Sequence, residues 1–587
     1  MRLVGPLEAR SSLHYTTILL PTQTEWLLPT MKTSFSARLR SLYAMQPAVR
    51  PQRSPASTEI YDWPWLSHSR ECRTGTPPLL HHQNPVMVPL KPPIAQMTKL
   101  PVTGSSATLD RKAMEEARLA RLGKRKRSDS PDRPSKQVSK QAEGKTSSEI
   151  RYPKGAIKRT WAYKHPRTDD ISIEEVLQAP TLNIVVLSSF QWDDRWIFHK
   201  ADPMKTKQVW IIGANTDAIK QNIVQELAEC NTPNVKLHFP PMRATTTMHS
   251  KLMLLFHETH LRIVVPTANL MQVEWGETGK DPKSVGSWQA AVLENTVFLI
   301  DLPRRPDGAV AAKLETAFGQ SLMAFLEAQE VGQKVREGLR KFDFSETNRL
   351  AFVHSIPGSH STGPRCNDTG LPGLAAAIRR LNLNQVEHLE LDYASSSIGG
   401  LKEEFLERLY LAASGLQPLS NKAPGGWSDC FRVYFPTNDA VINSTGGIDC
   451  GGVITLNSRS YNAPTFARNC LRTHTSNRTG LLSHNKMLLA RGREKDGTPF
   501  AWAYVGSANA TESAWGSQSV LKSGKEGALK INNWECGVVV PVPAEMLQGL
   551  GDGEVPPMSA FRGTVEVPFE FPGEKYEGKK PWFFMGQ

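Results

Sequence analysis

Two stretches far apart in this chain follow one pattern, and this repetition constrains the fold more than any other feature. In the first, residues 249–251 read His-Ser-Lys, an apolar run follows, and a second apolar segment ends in Ala-Asn at Asn269. In the second, residues 484–486 read His-Asn-Lys, and the same order of segments ends in Ala-Asn at Asn509. Each pattern predicts a strand headed by His-x-Lys and a next strand that ends at the Asn. The chain is therefore predicted to contain one structural unit twice.

The two His-x-Lys pairs predict a single polar pocket. Because side chains alternate along a strand, the imidazole and the ammonium group of each pair face the same side of the sheet. Two such pairs and two Asn amides suit a phosphate diester: cations and amides stabilise the developing negative charge, one histidine attacks phosphorus, and the other protonates the leaving oxygen. That division of labour needs no metal ion. One His-x-Lys alone would be better explained as an ordinary strand end, but the coincidence of residue type, order and flanking pattern favours a shared function.

The paired motifs resemble the two active-site halves of the phospholipase D superfamily. Its phospholipase and nuclease branch has the pattern His-x-Lys-x-x-x-x-Asp, which here would place the Asp at Phe256 and Arg491. The third polar member is instead Asn, after 269 − 251 − 1 = 17 residues in the first half and 509 − 486 − 1 = 22 in the second. This long spacing is similar to that of the tyrosyl-DNA phosphodiesterase family. The resemblance implies an α/β fold of two similar phospholipase D-like α/β/α sandwich domains, with the active site at their interface.

The resemblance also implies a role for each residue of the pattern. His249 would be the nucleophile and would form a phosphohistidine. His484 would be the general acid that protonates a departing tyrosine phenolate, and would then activate the water that releases a 3′-phosphate end. The phosphate oxygens would be held by Lys251, Asn269, Lys486 and Asn509.

Two further segments resemble family motifs that support the histidines. Residues 533–537 read Asn-Trp-Glu-Cys-Gly, and Glu535 occupies the position of a carboxylate that orients the nucleophilic imidazole; a surface Glu is the alternative. Residues 285–288 read Val-Gly-Ser-Trp and are similar to a Gln-Gly-x-Trp motif whose Gln supports the acid histidine, but Val285 stands in the Gln position. The partner of His484 is therefore left open.

Contacts with DNA are implied at several more positions. Trp192, just after the first long predicted strand, could stack on a base, or could be an ordinary core residue. Residues 395–400 read Ser-Ser-Ser-Ile-Gly-Gly and resemble a loop that binds a backbone phosphate before a helix. Thr245 stands where the family has an aromatic residue, so one stacking contact is missing. The polar positions that the resemblance assigns to substrate binding, besides the two lysines, are Ser396, Ser397, Ser507 and Thr511.

The order of apolar segments predicts a layered α/β architecture. Continuous apolar runs at residues 182–189 and 209–213 are typical of strands that are covered on both faces. Residues 217–230 carry apolar side chains at helical spacing between two such strands. A Ser-x-x-Glu capping box at 172–175 opens a helix that Pro180 closes. The Gly- and Pro-bearing segment 356–364 predicts a boundary, which divides the chain into domains at 151–350 and 351–587.

Composition constrains the location and the partners of the protein. A net charge of +13 and a pI near 9.3 favour an anionic partner such as DNA. Seven scattered cysteines without a Cys-x-x-Cys pair predict reduced thiols inside the cell rather than a zinc site. No apolar run approaches the roughly 20 residues that span a bilayer. Residues 1–150 predict a disordered basic tail, in which Lys-Arg-Lys-Arg at 124–127 is either a nuclear localisation signal or a solvated charge run.

These patterns together predict a monomeric, nuclear DNA-repair phosphodiesterase. It would remove tyrosyl or peptide remnants of topoisomerase I from 3′ ends of single- or double-stranded DNA, without a metal, another cofactor or a membrane. Two alternatives stay open: a broader metal-independent phosphodiesterase or nuclease of the same superfamily, and a DNA-binding module with a decayed site. Asn in place of Asp and the basic charge balance argue against a lipid substrate, and the intact His, Lys and Asn set argues against decay.

Overall fold

The structure is a computed structural model that describes residues 149–584, except positions 283, 285–288, 362, 524–525 and 552. Apart from its last two residues, the predicted disordered tail lies outside the described residues, and so does its basic cluster at 124–127. The Val-Gly-Ser-Trp segment at 285–288 also lies outside them.

The strands of the first half are built from the apolar runs that the sequence shows, and most of their residues are buried. In chain order they are β1 (Ala156–Thr160), β2 (Asp170–Ile171), β3 (Leu182–Ser188), β4 (Lys207–Ile211), β5 (Val235–His238), β6 (Thr247–Met248), β7 (Leu252–His257), β8 (His260–Pro266), β9 (Leu293–Glu294) and β10 (Thr296–Pro303). The helices are α1 (Ile173–Leu177), α2 (Asp194–Lys200), α3 (Asp217–Glu229), α4 (Ala317–Ala328) and α5 (Gln333–Leu339). The predicted capping box is present at α1, where the Ser172 hydroxyl and the Glu175 carboxylate each accept a backbone N–H of the other residue.

The second half repeats this alternation with more short helices. Its strands are β11 (Ala351–Ser355), β12 (Gly358–His360), β13 (Val386–Ser395), β14 (Phe431–Phe435), β15 (Leu471–Thr473), β16 (Leu482–Ser483), β17 (Lys486–Glu494), β18 (Pro499–Gly506), β19 (Leu529–Ile531) and β20 (Asn533–Pro541). Its helices are α6 (Pro364–Asp368), α7 (Gly370–Arg380), α8 (Glu403–Ala413), α9 (Asn438–Ile442), α10 (Gly447–Cys450), α11 (Ser458–Asn462) and α12 (Glu512–Trp515).

The two large sheets share one strand order. The first runs β2-β1-β10-β8-β7-β3-β4-β5, and the second runs β11-β20-β18-β17-β13-β14-β15. In both, the strand that carries the His-x-Lys motif at its start lies between the Asn strand and the first long strand, and is antiparallel to both. The α/β fold class that the sequence predicts is confirmed, and the matching strand order is what one unit used twice would give.

The two sheets are held together by a shared hydrophobic core. On β7, Leu252, Leu254 and Phe256 join this core, whereas Met253 and Leu255 pack on the opposite face with residues of α1, α2 and α3. The second sheet contributes to the shared core, among others, Met487, Leu489, Val505 and Val538. Each fully buried aliphatic side chain stabilises the fold by about 1.5–3 kcal/mol. The halves are therefore fixed against each other, and so are the motif residues that each half carries.

A buried ion pair ties the start of the described chain to the first sheet. Arg262 on β8 lies opposite Asp301 on β10, both side chains are fully buried, and the guanidinium donates to both carboxylate oxygens at 2.6 and 2.9 Å. Asp301 also accepts the backbone N–H groups of Arg151 and Tyr152. Burial alone would raise the pKa of Asp301, but the hydrogen bonds and charge of Arg262 lower it overall.

None of the helices in the part of the chain that the structure describes is both long enough and apolar enough to cross a bilayer.

Removal of the Asp301 charge should strongly destabilise the protein. We expect Asp301→Asn to lower the free energy of unfolding by about 3–5 kcal/mol, because it leaves the Arg262 guanidinium buried without a counter-ion. Urea unfolding followed by fluorescence would measure the change. The control is Asp217→Asn, whose parent carboxylate is 89% exposed and should matter by less than about 0.5 kcal/mol. Equal stabilities of the two variants would contradict the expectation.

Candidate active site

The first motif histidine is held by the second half of the chain. β6, the two residues before His249, pairs in parallel with β20, where Thr247 lies opposite Asn533 and Met248 opposite Trp534. The backbone N–H of His249 then donates to the carbonyl oxygen of Trp534 at 3.1 Å. This pairing brings His249 beside the next residue of β20, which is Glu535.

Glu535 fixes the orientation of the His249 ring. Both carboxylate oxygens lie 2.9 Å from Nδ1 of His249. The carboxylate is itself held by the Ser507 hydroxyl, which donates at 2.5 Å, and by the Asn533 amide, which donates at 2.9 Å. With Nδ1 directed at Glu535, Nε2 is the ring nitrogen left to face other groups.

The second motif histidine is held by the first half in the same way. β16, the two residues before His484, pairs in parallel with β9, where Leu482 lies opposite Leu293 and Ser483 opposite Glu294. The backbone N–H of His484 donates to the carbonyl oxygen of Glu294 at 2.8 Å. Each histidine is therefore docked on a strand that belongs to the other half.

The carboxylate beside His484 is that of Glu274, a residue that sequence analysis missed. Its Oε2 lies 2.9 Å from Nδ1 of His484, in a contact that is not aligned as a hydrogen bond and becomes an ion pair when the imidazole is protonated. The backbone N–H and the side-chain amide of Asn269 donate to the same carboxylate at 2.5 and 2.8 Å. Glu274 lies in the 3₁₀ turn Gln272–Trp275, which ends at Gly276 with φ +88°. A Cβ at Gly276 would lie 1.9 Å from the carbonyl oxygen of Trp161, so the turn requires glycine there.

The two motif lysines occupy equivalent buried positions. Nζ of Lys251 donates to the carbonyl oxygen of His249 at 2.8 Å, and Nζ of Lys486 donates to that of His484 at 2.5 Å. Lys486 also donates to the Ser396 hydroxyl at 2.7 Å. Burial lowers the pKa of Lys251 to about 8 and that of Lys486 well below its usual range, and the charge of Lys251 adds to the effect on Lys486.

The motif asparagines are both buried but are bonded differently. Asn269 uses its side-chain amide N–H on Glu274 and accepts the backbone N–H of Gln191 at 3.3 Å. Asn509 uses its oxygen instead, which accepts at 3.2–3.3 Å from the hydroxyls of Ser395 and Ser396 and from the backbone N–H of Ser397. The serine loop at 395–397 thus sets the direction of the Asn509 amide.

The charges of each motif shift the pKa of the histidine in the other motif. Burial lowers the pKa of His249, against the opposing effect of Glu535, and lowers the pKa of His484 to about 4, against the opposing effect of Glu274. In addition, Lys486 lowers the pKa of His249 and Lys251 lowers that of His484, so each lysine acts on the histidine of the other half. The imidazoles keep some contact with solvent, since their side chains are 12% and 6% exposed, while both lysines are fully buried.

Stacking of Trp192 on a DNA base is wrong as a prediction. Trp192 is 1% exposed, its ring stacks on Trp210 with centroids 5.0 Å apart, and its Nε1 donates to the carbonyl oxygen of Ser189. It is a core residue. The aromatic ring beside the site is that of Phe190, whose centroid lies 5.4 Å from that of His249 and 5.9 Å from Nζ of Lys251.

The four polar residues that the sequence assigns to substrate binding have different surroundings in the structure. Ser396 and Ser397 lie in a loop that donates to the Asn509 side-chain oxygen, and their contact with a phosphate stays a prediction. The buried hydroxyl of Ser507 donates to Glu535 and accepts the backbone N–H of Cys536, so it supports the carboxylate and corrects the prediction of a substrate contact. The Thr511 hydroxyl caps α12 by accepting the backbone N–H of Ala514 at 3.2 Å.

One cluster of metal-ligand types occurs in the described chain, away from this site. His388, Glu390 and Cys430 lie within 4.8 Å of one another near the starts of β13 and β14. Arg432 already contacts the Glu390 carboxylate at 2.6 Å, and the His388 ring lies 3.0 Å from its other oxygen. The cluster is therefore explained as a hydrogen-bonded ion pair.

Comparison with known proteins gives a consistent result. A family model described as tyrosyl-DNA phosphodiesterase matches residues 156–577. Tyrosyl-DNA phosphodiesterase 1 of Arabidopsis thaliana is 25% identical over 395 residues, which cover 64% of this chain and 60% of that protein. The protein of the same name from Drosophila melanogaster is 26% identical over 308 residues, which cover 50% of this chain and 49% of that protein. The chain thus spans between about half and three fifths of the length of these curated relatives.

A solved structure has the same fold. The crystal structure of the yeast tyrosyl-DNA phosphodiesterase aligns with a TM-score of 0.52 and 16% sequence identity, over 74% of this chain and 100% of that chain. The matched segment 156–577 contains both motifs together with Glu274 and Glu535. The chain therefore belongs to the tyrosyl-DNA phosphodiesterase family.

Proposed function

We propose that the protein is a DNA-repair phosphodiesterase that hydrolyses the 3′-phosphotyrosyl bond between DNA and topoisomerase I remnants. The observation that carries this proposal is the crossed arrangement in which each motif histidine contacts a carboxylate of the other half, next to two buried lysines. Residues 151–350 and 351–587 would be its two phospholipase D-like domains, with the site between them.

In the first step, Nε2 of His249 attacks phosphorus. A P–N bond forms, the bond from phosphorus to the tyrosine oxygen breaks, and the departing phenolate takes a proton from His484. The bound phosphate anion and Glu274 would both favour the protonated form of His484 before this step. Because Nδ1 of His249 contacts Glu535 at 2.9 Å, the positive charge that develops on the attacking ring is stabilised. A phenol, with an ordinary pKa near 10, leaves more readily than a sugar hydroxyl, which favours aryl esters.

In the second step, His484 has lost its proton and can act as a base. It takes a proton from water, the water oxygen bonds to phosphorus, and the P–N bond to His249 breaks. The products are a 3′-phosphate end and the free enzyme. Glu274 lies beside His484, and its negative charge would favour protonation of the imidazole in this step.

The phosphate oxygens would be held by the buried cations and amides. Burial lowers the pKa values of Lys251 and Lys486, and a bound phosphate anion would favour the protonated form of both. The amide of Asn509 would donate to a phosphate oxygen, because its own oxygen already accepts from the serine loop. Asn269 would act mainly through Glu274, to which it donates twice.

DNA is the partner that the charge of the chain fits. The net charge is +13, and Ser396, Ser397 and Thr511 surround the Asn509 end of the site, where a DNA backbone phosphate would bind. In this proposal, the substrates are single- and double-stranded 3′ ends, and a topoisomerase-derived peptide forms part of the substrate. The enzyme would also act as an exonuclease on blocked ends. It would be a monomer and would be located in the nucleus. Neither a metal nor another cofactor takes part in either step.

The roles of the two histidines can be separated with a 3′-phosphotyrosyl oligonucleotide in the presence of a chelator. We expect His249→Ala to lose tyrosine release by at least about 10²–10⁴-fold and to form no covalent DNA complex, because the nucleophile is gone. His484→Asn should release tyrosine slowly and accumulate a covalent protein–DNA adduct that denaturing gels detect.

The matched control for these variants is His388→Ala, whose parent side chain is 43% exposed and lies near the start of β13. It should behave like the wild type. Undiminished cleavage by His249→Ala would reject the nucleophile assignment, and the absence of any adduct with His484→Asn would count against the two-step scheme.

Anion binding at the site should weaken as the pH rises. The pKa of Lys251 is lowered to about 8 in the empty site, so its ammonium form is lost as the pH rises through that value, while a bound anion favours the charged form. We expect sulfate, whose charge is constant in this range, to bind more weakly at about pH 9 than at about pH 7 and to bind with net proton uptake. Isothermal titration calorimetry in two buffers of different ionisation enthalpy measures both quantities.

The pH effect should depend on the buried lysines rather than on exposed ones. Lys251→Gln should bind sulfate more weakly than the wild type and with less proton uptake, whereas Lys205→Gln, at a position whose lysine is 84% exposed, should match the wild type. Affinity that is constant across this range in the wild type would show that Lys251 stays charged without a ligand.

A further inference from the structure

We infer that Glu274 is a positioning residue of the reaction, which orients His484 and stabilises the protonated imidazole that gives a proton to the leaving oxygen. The inference rests on the proposed function and deepens it. The family motif that would supply a glutamine partner for His484 has Val285 in that position, whereas the structure puts a carboxylate of the first half in contact with the ring.

The pairing of the strands shows that this carboxylate does not come from the position equivalent to Glu535. Met248 lies opposite Trp534, and Ser483 lies opposite Glu294. The residues that follow Trp534 and Glu294 in the chain, Glu535 and Asn295, are therefore equivalent. The same holds for the residues two positions before each motif Asn: Ser507 donates to Glu535, and Thr267 donates to Asn295 at 2.8 Å.

Asn295 is neutral and fully buried, so the first half has no carboxylate where the second half has Glu535. Asn295 instead donates its amide to the carbonyl oxygen of Glu274 at 3.3 Å. The 3₁₀ turn that carries Glu274 is held further by Trp275, whose Nε1 donates to the carbonyl oxygen of Asn269 at 2.9 Å. These contacts place the Glu274 side chain against His484. Glu274 therefore supplies the carboxylate that the neutral Asn295 cannot supply.

The charge on Glu274 is available to His484. Burial alone would raise the pKa of Glu274, but His484 and the hydrogen bonds from Asn269 lower it to about 2, so the carboxylate is ionised at neutral pH. Among the charged groups that act on His484, Glu274 favours the imidazolium, and Lys486 and Lys251 oppose it. An amide in place of Glu274 would leave the two lysines unopposed.

In chemical terms, Glu274 never touches the substrate. His484 gives the proton on Nε2 to the phenolate oxygen in the first step and recovers one from water in the second, while Nδ1 faces Glu274 throughout. A fixed negative charge at Nδ1 makes the ring hold its proton to a higher pH in the first step and makes it the stronger base in the second.

The test compares two leaving groups in the full-length enzyme. Wild type and Glu274→Gln are assayed on oligonucleotides that end in a 3′-phosphotyrosyl ester or in a 3′-(4-nitrophenyl) phosphate ester. The nitrophenolate needs little help from an acid, so Glu274→Gln should slow the tyrosyl ester by about tenfold or more and the nitrophenyl ester far less. The alkaline limb of the kcat/KM profile for the tyrosyl ester should move to lower pH, because the acid form of His484 is lost earlier.

The matched control is Glu277→Gln, three residues along the same segment. Glu277 is equally buried, but it contacts Lys200 and Trp196 rather than the site. Equal slowing of both esters by Glu274→Gln, with an unmoved pH profile, would show a merely structural role and overturn the inference while leaving the proposed function intact.

Absence of cleavage of both esters would refute the proposed function. Even then, a direct measurement of the pKa of His484 would test the inference. NMR titration of imidazole nitrogens in the sulfate-bound protein, with His484 assigned through His484→Asn, should give a pKa for His484 that is lower by about one unit or more in Glu274→Gln than in the wild type. An unchanged pKa would overturn the role of Glu274.

Discussion

The site depends on a reciprocal exchange between the two halves: each motif histidine is seated on a strand of the other half and meets a carboxylate that its own half does not supply. β6 pairs with β20 and places His249 at Glu535, and β9 pairs with β16 and places His484 at the segment that carries Glu274. Neither half could complete its own constellation. Docking of the halves and assembly of the site are therefore one event, and the shared core that fixes the sheets also fixes the imidazoles.

The same arrangement carries an energetic cost that the core must offset. Taking two histidines, two lysines and two carboxylates out of water costs several kcal/mol for each ion that stays charged. Much of this cost is avoided because burial lowers the pKa values of Lys251, Lys486 and His484, which makes neutral forms accessible in the empty site. In the proposed reaction, an anionic phosphate would favour the protonated forms of these groups.

Most of the fold and of the candidate site could be predicted from the sequence. The motif residues and the α/β fold follow from strand periodicity and from a pattern that occurs twice, and Glu535 follows from the resemblance of the sequence Asn-Trp-Glu-Cys-Gly at 533–537 to a family motif. Glu274 could not be predicted, because its contact with His484 depends on a 3₁₀ turn and on the docking of the other half. Its one local signal is an acidic residue inside the buried sequence Gln-Val-Glu-Trp. The prediction for Trp192 is wrong because a local pattern does not separate a core tryptophan from one that stacks on a ligand. The prediction for Ser507 is wrong because proximity to Asn509 in the sequence does not show which way the hydroxyl points.

The departures from symmetry between the halves carry more information than the symmetry itself. In the second half, the carboxylate is at position 535 and contacts His249. The Asn509 amide is oriented instead by the serine loop at 395–397. In the first half, the equivalent position is Asn295, and the carboxylate has moved to a turn where Asn269 donates to it twice. In the proposed reaction, Asn269 is thereby connected to the acid–base histidine, while Asn509 stays available to the phosphate. One duplicated unit would in this way supply two different chemical roles, because the proposed nucleophile and the proposed acid differ in what holds their partners and not in the motif residues, which are the same.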